Sequence, residues 1–138
     1  MTITLHETAS DGAIAELYDS LRTFNQHASG QPRGRFFLFE IRDPATGTLA
    51  GGLSGSLWGH TLHISILWLR DDVRGRRLGT ELLTRAEAYA RQQGATVAHL
   101  DTLSFQARPF YEHHGYQCFG TIEDVAPGID HYFLSKRL

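Results

Sequence analysis

Four arginine side chains stand where an apolar stretch of the sequence gives way to an amphipathic one: Arg70, Arg74, Arg76 and Arg77. Basic side chains are unfavourable at the N-terminal end of a helix, because the helix dipole is already positive there. A bound anion removes this conflict, since guanidinium groups and free backbone N–H groups both suit phosphate oxygens. The pattern therefore predicts a phosphate or pyrophosphate site, with a solvated basic loop as the alternative.

Two glycines accompany the arginines and narrow the kinds of anion-binding site that the turn can form. Gly75 and Gly79 let the backbone approach a ligand closely, because neither carries a Cβ atom. The turn lacks the spacing and the lysine of a P-loop, which argues against nucleotide hydrolysis. The sequence also lacks the motifs of dinucleotide-binding proteins, zinc proteases and serine esterases, so those classes have no support.

A strand and a helix position the turn. Residues 62–69 form an apolar run that predicts a strand, and a helical face follows the turn with Leu78, Leu82, Leu83, Ala86, Tyr89 and Ala90. Gly94 lies where a helix-ending glycine belongs. Residues 95–103 then predict another strand, so the unit is a right-handed parallel strand–helix–strand crossover.

The remaining segments complete a single sheet. A strand is predicted over residues 2–6, a helix over 12–27, a loop over 28–35 and a hairpin over 36–42 and 49–58. A short helix over 107–114 precedes two last strands over 116–123 and 130–138. This order predicts an α/β (α+β) fold with a mixed, mostly antiparallel central sheet and helices packed on both faces.

The length, composition and charge of the chain limit the classes of protein to which it can belong. At 138 residues, 41% hydrophobic and 20% charged, the chain is predicted to be one soluble domain over residues 1–138. The net charge of −2 makes the arginine cluster local, which argues against a nucleic-acid-coating surface. Cys118 is the only cysteine, which excludes an internal disulfide and favours a reducing cytoplasm. We find no signal-peptide pattern and no membrane-spanning apolar run, so a cytoplasmic location is expected.

Two segments, together with the order of elements, resemble the GNAT superfamily of acyl-CoA-dependent N-acyltransferases. Residues 74–79 resemble its pyrophosphate motif Arg/Gln-x-x-Gly-x-Gly/Ala, with Arg77 in place of the middle glycine. Residues 104–116 resemble its Asn-x-x-Ala-x-x-x-Tyr segment followed by a Gly-aromatic pair, with Ser104 in place of the asparagine. The resemblance covers residues 36–138 and implies a GNAT-like fold.

The resemblance implies acetyl-CoA as the acyl donor. It places the pyrophosphate at the arginine turn, the acyl oxygen at the backbone N–H of Leu67 or Trp68, and the pantetheine at Leu69. The full set of implied cofactor-binding residues is Leu67, Trp68, Leu69, Arg74, Gly75, Arg76, Arg77, Leu78, Gly79, Thr80, Ser104 and Ala107.

The resemblance also implies two catalytic side chains. Tyr111 matches the family tyrosine that donates a proton to the departing sulfur, and a core aromatic is the alternative. His63 lies eleven residues before Arg74, where some family members place a glutamate or histidine base. Its unperturbed pKa of about 6.5 suits deprotonation of an ammonium directly or through water. A structural histidine is the alternative there.

Strand alternation predicts which side chains share a face with His63. It groups His63 with Ser65, Leu67 and Leu69, and sets the opposite face as Leu62, Ile64, Ile66 and Trp68. Weaker acid–base or acceptor-binding candidates, for which solvated polar positions are the alternative, are Glu40, His60, Ser65, Asp101 and Asp130. The histidines show no ligand spacing, so no metal is predicted.

The sequence therefore predicts an N-acetyltransferase that acts on a primary amine of a small molecule or peptide. A non-catalytic acyl-CoA-binding sensor is the alternative, and nucleic-acid binding through the arginines is a third hypothesis. Residues 28–35, the end of strand 49–58 and residues 125–131 are expected to frame the acceptor pocket. The last strand is predicted to be a sheet edge that supports a homodimer, unless Lys136 and Arg137 protect that edge.

Overall fold

The computed structural model describes residues 1–138, which divide into two compact units, residues 1–34 and residues 35–138. The first unit contains helix α1 (Asp11–Ser29). The Ser10 hydroxyl caps its start by accepting a hydrogen bond from the Ala13 N–H at 3.2 Å, and left-handed Gly30 ends it. The predicted helix is confirmed. The predicted strand over residues 2–6 is wrong, because these exposed residues pair with no neighbouring strand.

The second unit is a sheet of six strands with two α-helices and a short 3-10 helix (Asp71–Val73). Its strands are β1 (Arg35–Arg42), β2 (Leu49–Trp58), β3 (Thr61–Leu69), β4 (Val97–Leu103), β5 (Gln117–Ala126) and β6 (Ile129–Arg137). Their order is β1-β2-β3-β4-β6-β5, and only β3 and β4 pair in parallel. Helix α2 (Leu78–Gln92) makes the crossover between those two strands, and α3 (Arg108–His113) follows β4. The predicted mixed, mostly antiparallel sheet is confirmed.

The order of strands corrects one prediction. Strand β6 lies between β4 and β5 and pairs with both, so it is not a sheet edge. Its Lys136 does not protect an edge either, because its ammonium donates to both carboxylate oxygens of buried Glu87 at 2.9 and 2.7 Å. The prediction that this strand supports a homodimer through a free sheet edge is therefore wrong.

The core lies on one face of the sheet, where α2 packs. Alternate residues of the inner strands supply one half of it: Leu53, Leu57, Leu62, Ile64, Ala98, Leu100 and Leu134. The apolar stripe of α2 supplies the other half: Leu82, Leu83, Ala86 and Ala90. Burial of these side chains is the main stabilising contribution to this unit.

A β-bulge in β3 overturns the predicted alternation. Gly55 pairs with Ile64 and Ser54 pairs with Ile66, so Ser65 is an extra residue without a partner. Beyond it the side chains change face: Leu67 and Leu69 pack against the core. Leu67 and Leu69 therefore share a face with Leu62 and Ile64, whereas His63 lies on the opposite face.

The parallel pair is short and then opens. Strands β3 and β4 pair only through Thr61, Leu62 and His63 with residues 97–99. Beyond this point each strand continues without the other, and the two ends separate. No helix of the chain is long and apolar enough to cross a membrane.

Candidate active site

A cavity of about 840 Å³ lies between the separated ends of β3 and β4. Its walls are mainly apolar and include Ile64, Ile66, Leu67, Trp68, Leu69, Leu100, Phe105, Ala107 and Phe110. Its polar lining side chains are Ser65, Arg74, Asp101, Thr102, Gln106 and Tyr111. An apolar cleft with a few convergent polar groups is the usual form of a small-molecule site.

Tyr111 lies on α3 with its ring inside the core and its edge in the cavity. The residue is 7% exposed, and its ring meets Phe110 and Tyr116 edge to face. Burial, followed by the negative charge of Asp101, raises the pKa of Tyr111 to about 12. The phenol therefore keeps its proton at neutral pH and can donate it inside the cavity.

The turn before α2 exposes backbone donors. Arg77 occupies the cap position with φ 62° and makes no side-chain cap bond, and Gly75 has φ 75°. The first hydrogen bond of the helix runs from the Glu81 N–H to the Arg77 carbonyl at 3.0 Å. The N–H groups of the next three residues, 78–80, have no partner within the helix. Such a helix start binds anions.

The arginines of the turn divide into two groups. Arg70 donates to Asp43 at 3.0 Å and to Asp72 at 2.5 and 2.8 Å, and these bonds lower the pKa of both carboxyls. Arg74 donates to the Leu69 carbonyl at 3.1 Å and pairs with Asp71, which is exposed. Exposed pairs are weak, so Arg74 can exchange Asp71 for a phosphate. Arg70 has a structural role, because its guanidinium is held by Asp43 and Asp72.

The structure brings most of the predicted site residues together. Leu67, Trp68, Leu69, Arg74, Gly79, Ala107 and Tyr111 line the cavity, and Gly75, Arg76, Arg77, Leu78 and Thr80 adjoin it in sequence along the turn. Ser104 is not a lining residue: its hydroxyl accepts from the Asp130 N–H at 3.0 Å. The Thr80 hydroxyl is 3.1 Å from His114 Nε2.

His63 lies beside the cavity, at the closed end of the opening between the strands. Its ring stacks on His99 of β4, with centroids 4.6 Å apart and planes 15° apart. Burial and the nearby His63 lower the pKa of His99. His63 itself is not a lining residue, but the next residue of β3, Ile64, is one.

Sequence reasoning gave too little weight to Asp101 and omitted Gln106. Asp101 lines the cavity and bonds His131 Nε2 through Oδ2 at 2.7 Å. Gln106 Oε1 accepts from the Thr102 hydroxyl at 3.1 Å and the Leu103 N–H at 2.8 Å, which fixes the loop after β4. The available signal for Asp101 was its place near the C-terminal end of a parallel strand, where ligands bind in open α/β sheets. No group of three or more His, Cys, Asp or Glu side chains is arranged to hold a metal.

Comparison with known proteins identifies the family of this fold and cavity. Residues 4–116 match the family model described as Acetyltransferase (GNAT) family. The chain is 42% identical over 93 residues to a blasticidin-S acetyltransferase of Streptomyces morookaense, covering 67% of this chain and 68% of that protein.

Solved structures agree with this match. An acetyltransferase from Agrobacterium tumefaciens is 28% identical, with a TM-score of 0.90 and 100% of both chains covered. A streptothricin acetyltransferase from Bacillus anthracis, solved with acetyl coenzyme A, has a TM-score of 0.63 at 15% identity and shows the shared fold alone; the match covers 75% of this chain and 62% of that one. On the family match and the conserved architecture, this chain belongs to the acetyltransferase (GNAT) family and is an acyl-CoA-dependent acetyltransferase.

Proposed function

We propose that the protein transfers the acetyl group of acetyl-CoA to a primary amine of a small molecule by direct attack of the amine on the thioester. The observation that carries this proposal is a protonated tyrosine, Tyr111, in a cavity that ends at the free N–H groups of the α2 helix start. The first acceptor to test is blasticidin S, because the 42% identical relative is named for acetylating it.

We propose one orientation for acetyl-CoA in the cavity. Its pyrophosphate would meet the backbone N–H groups of Gly79 and its neighbours, with Arg74, Arg76 and Arg77 around it. Its pantetheine would run along β3 at Leu69, where no strand pairs with β3 on the cavity side. The thioester oxygen would accept from the N–H of Leu67 or Trp68, which would stabilise the oxyanion of the tetrahedral intermediate.

Two side chains would move protons. Tyr111 would donate its proton to the departing thiolate of coenzyme A and would recover one from solvent. His63 would accept the proton of the attacking amine through a water molecule, since it is not itself a lining residue of the cavity. Its stacking on His99 fixes the plane of the ring in that position.

We also propose that residues 1–138 act as a single acetyltransferase domain. The family match runs from residue 4 to residue 116 and so extends across both compact units.

The test is release of coenzyme A thiol from acetyl-CoA by the purified protein, with blasticidin S and a panel of primary amines as acceptors. We expect turnover with at least one amine, and an acetylated product by mass spectrometry. Double substitution Arg74→Ala and Arg76→Ala is expected to raise the KM for acetyl-CoA roughly tenfold or more, as loss of charge-assisted bonds does. Saturable acetyl-CoA binding without turnover on any amine would instead support a sensor.

A further inference from the structure

We infer that Asp101 binds the ammonium group of the acceptor and that His131 holds Asp101 in place, so that the cavity selects amines that are cationic before reaction. The inference rests on the proposed amine acetylation and adds to it the acceptor-binding residue and the charge class of the acceptor. Asp101 has no role in the proton transfers proposed above.

Asp101 lines the cavity on the face of the sheet that carries the proposed base, His63. It lies near the end of β4, two residues beyond His99 and on the same face as the stacked histidines. Its side chain is 47% exposed, so an acceptor entering from solvent meets it. One carboxylate oxygen, Oδ2, is bonded to His131, which leaves Oδ1 for a ligand.

Asp101 is the one acidic side chain in the cavity lining. Thr102 and Gln106 are bonded to each other, and Arg74 is bonded to the Leu69 carbonyl. A carboxylate beside apolar walls favours an ammonium partner, because charge-assisted hydrogen bonds are stronger than those between neutral groups. Its charge also acts on the Tyr111 phenol, which places both groups in one electrostatic environment.

The surroundings of His131 make it a positioning residue. Its ring packs on Phe133 with centroids 4.6 Å apart. The preceding residue, Asp130, is held by Ser104 through two hydrogen bonds of 2.9 and 3.0 Å. The imidazole is therefore fixed from two sides, and its bond to Oδ2 orients the carboxylate toward the cavity. Ser104 contributes to this arrangement indirectly, because it holds Asp130 of β6 next to His131.

The decisive variant is Asp101→Asn, which keeps the shape and removes the charge. Acceptors are blasticidin S and a matched pair of amines, benzylamine, which is cationic at neutral pH, and aniline, which is neutral. We expect the KM for cationic acceptors to rise about tenfold to a hundredfold. The KM for acetyl-CoA should stay within about twofold. The preference for cationic over neutral amines should fall by the same factor.

Matched variants separate charge from folding. Glu123→Gln removes a negative charge from an exposed position of β5 outside the cavity and should change neither KM. His131→Ala should raise the KM for cationic acceptors severalfold with little change in kcat, and His131→Gln should restore it, because glutamine keeps an N–H donor.

Each outcome decides one question. An unchanged KM for cationic acceptors in Asp101→Asn, or a wild type that prefers neutral amines, overturns the inference and leaves acetylation standing. His131→Gln as impaired as His131→Ala overturns the positioning role. Absence of turnover with every amine in the wild type overturns the proposed function, and with it this inference.

Discussion

At the scale of single residues, the proton on Tyr111 governs the proposed chemistry. Tyr111→Phe removes only the hydroxyl, so we expect kcat to fall about a hundredfold to a thousandfold with the KM for acetyl-CoA unchanged. Because the pKa of Tyr111 is raised to about 12, this group should cause no loss of wild-type activity up to roughly pH 10. Steady-state kinetics across pH test both statements, and an alkaline limb near the ordinary phenol pKa that vanishes in the variant would contradict them.

Tyr116 offers the matched control for that substitution. Its ring contacts Tyr111, it is 2% exposed, and its hydroxyl has no hydrogen-bond partner. Tyr116→Phe removes a buried polar group that gains nothing from burial, so kcat should not change. The free energy of unfolding should stay equal or rise by about 1 kcal/mol in denaturant titration. A clear loss of stability would show that this hydroxyl has a partner.

Arg77 carries a backbone conformation that favours glycine. Its φ of 62° lies in the left-handed region, which costs a residue with a Cβ about 1 kcal/mol. We therefore expect Arg77→Gly to be more stable than Arg77→Ala by about 1 kcal/mol. Both variants should raise the KM for acetyl-CoA to a similar extent, because both remove the same guanidinium.

Arg76 provides the control for this comparison, because it lacks the positive φ of its neighbour. There the order should reverse, with Arg76→Ala at least as stable as Arg76→Gly. The same order at both positions, measured by chemical denaturation, would contradict the strain argument at Arg77. The motif comparison had identified Arg77 as the departure from glycine, and its conformation gives that departure a physical meaning.

At the scale of elements, the glycines of β2 show how closely three strands approach. A Cβ on Gly52 would lie 2.6 Å from the Phe39 carbonyl oxygen of β1, which is backbone and cannot move aside. Gly52→Ala should therefore lower the free energy of unfolding by about 1–3 kcal/mol. Gly12→Ala is the control: its Cβ would meet nothing within 4 Å, and alanine favours the helix, so stability should hold or rise. Equal effects at the two sites would refute the close-approach argument.

The elements also show where prediction from sequence stops. The helix after the arginine turn, the crossover and the hairpin follow from periodicity and turn residues within each segment. The bulge at Ser65 does not, because a bulge is defined by the partner strand, and residues 66–69 are all apolar and so mark no change of face in the sequence itself. The inner position of β6 is likewise a property of pairing between distant segments. Asp101 and His131 meet for the same reason, from 30 residues apart.

At the scale of the whole molecule, stability should depend on pH through half-buried histidines. Burial and His63 lower the pKa of His99, and burial likewise lowers that of His114. The unfolded chain then binds more protons than the folded one near pH 6.5 and below. The contribution of these two histidines to the free energy of unfolding should thus be fully present above about pH 6.5. It should decline as the pH falls through their lowered pKa values.

The variant His99→Gln isolates this effect. Urea titrations at about pH 7.5 and pH 5.5 should show a smaller loss of stability for the variant than for the wild type. The lowered pKa values of Asp43 and Asp72 act below their ordinary value of 3.8, so their contribution falls in a separate window. An unchanged loss in His99→Gln would mean that other groups carry the proton uptake.

The short ladder between β3 and β4 has a consequence for how the enzyme persists in a cell. Beyond residue 63 the inner edges of both strands present backbone groups that no strand pairs with. In the binding mode proposed above, an amide-bearing pantetheine lying there would act as a temporary seventh strand, bound and released in each turnover. At a cofactor concentration of a hundred times Kd the folded state gains about 2.7 kcal/mol. The stability of the folded protein would then depend on the supply of its own substrate.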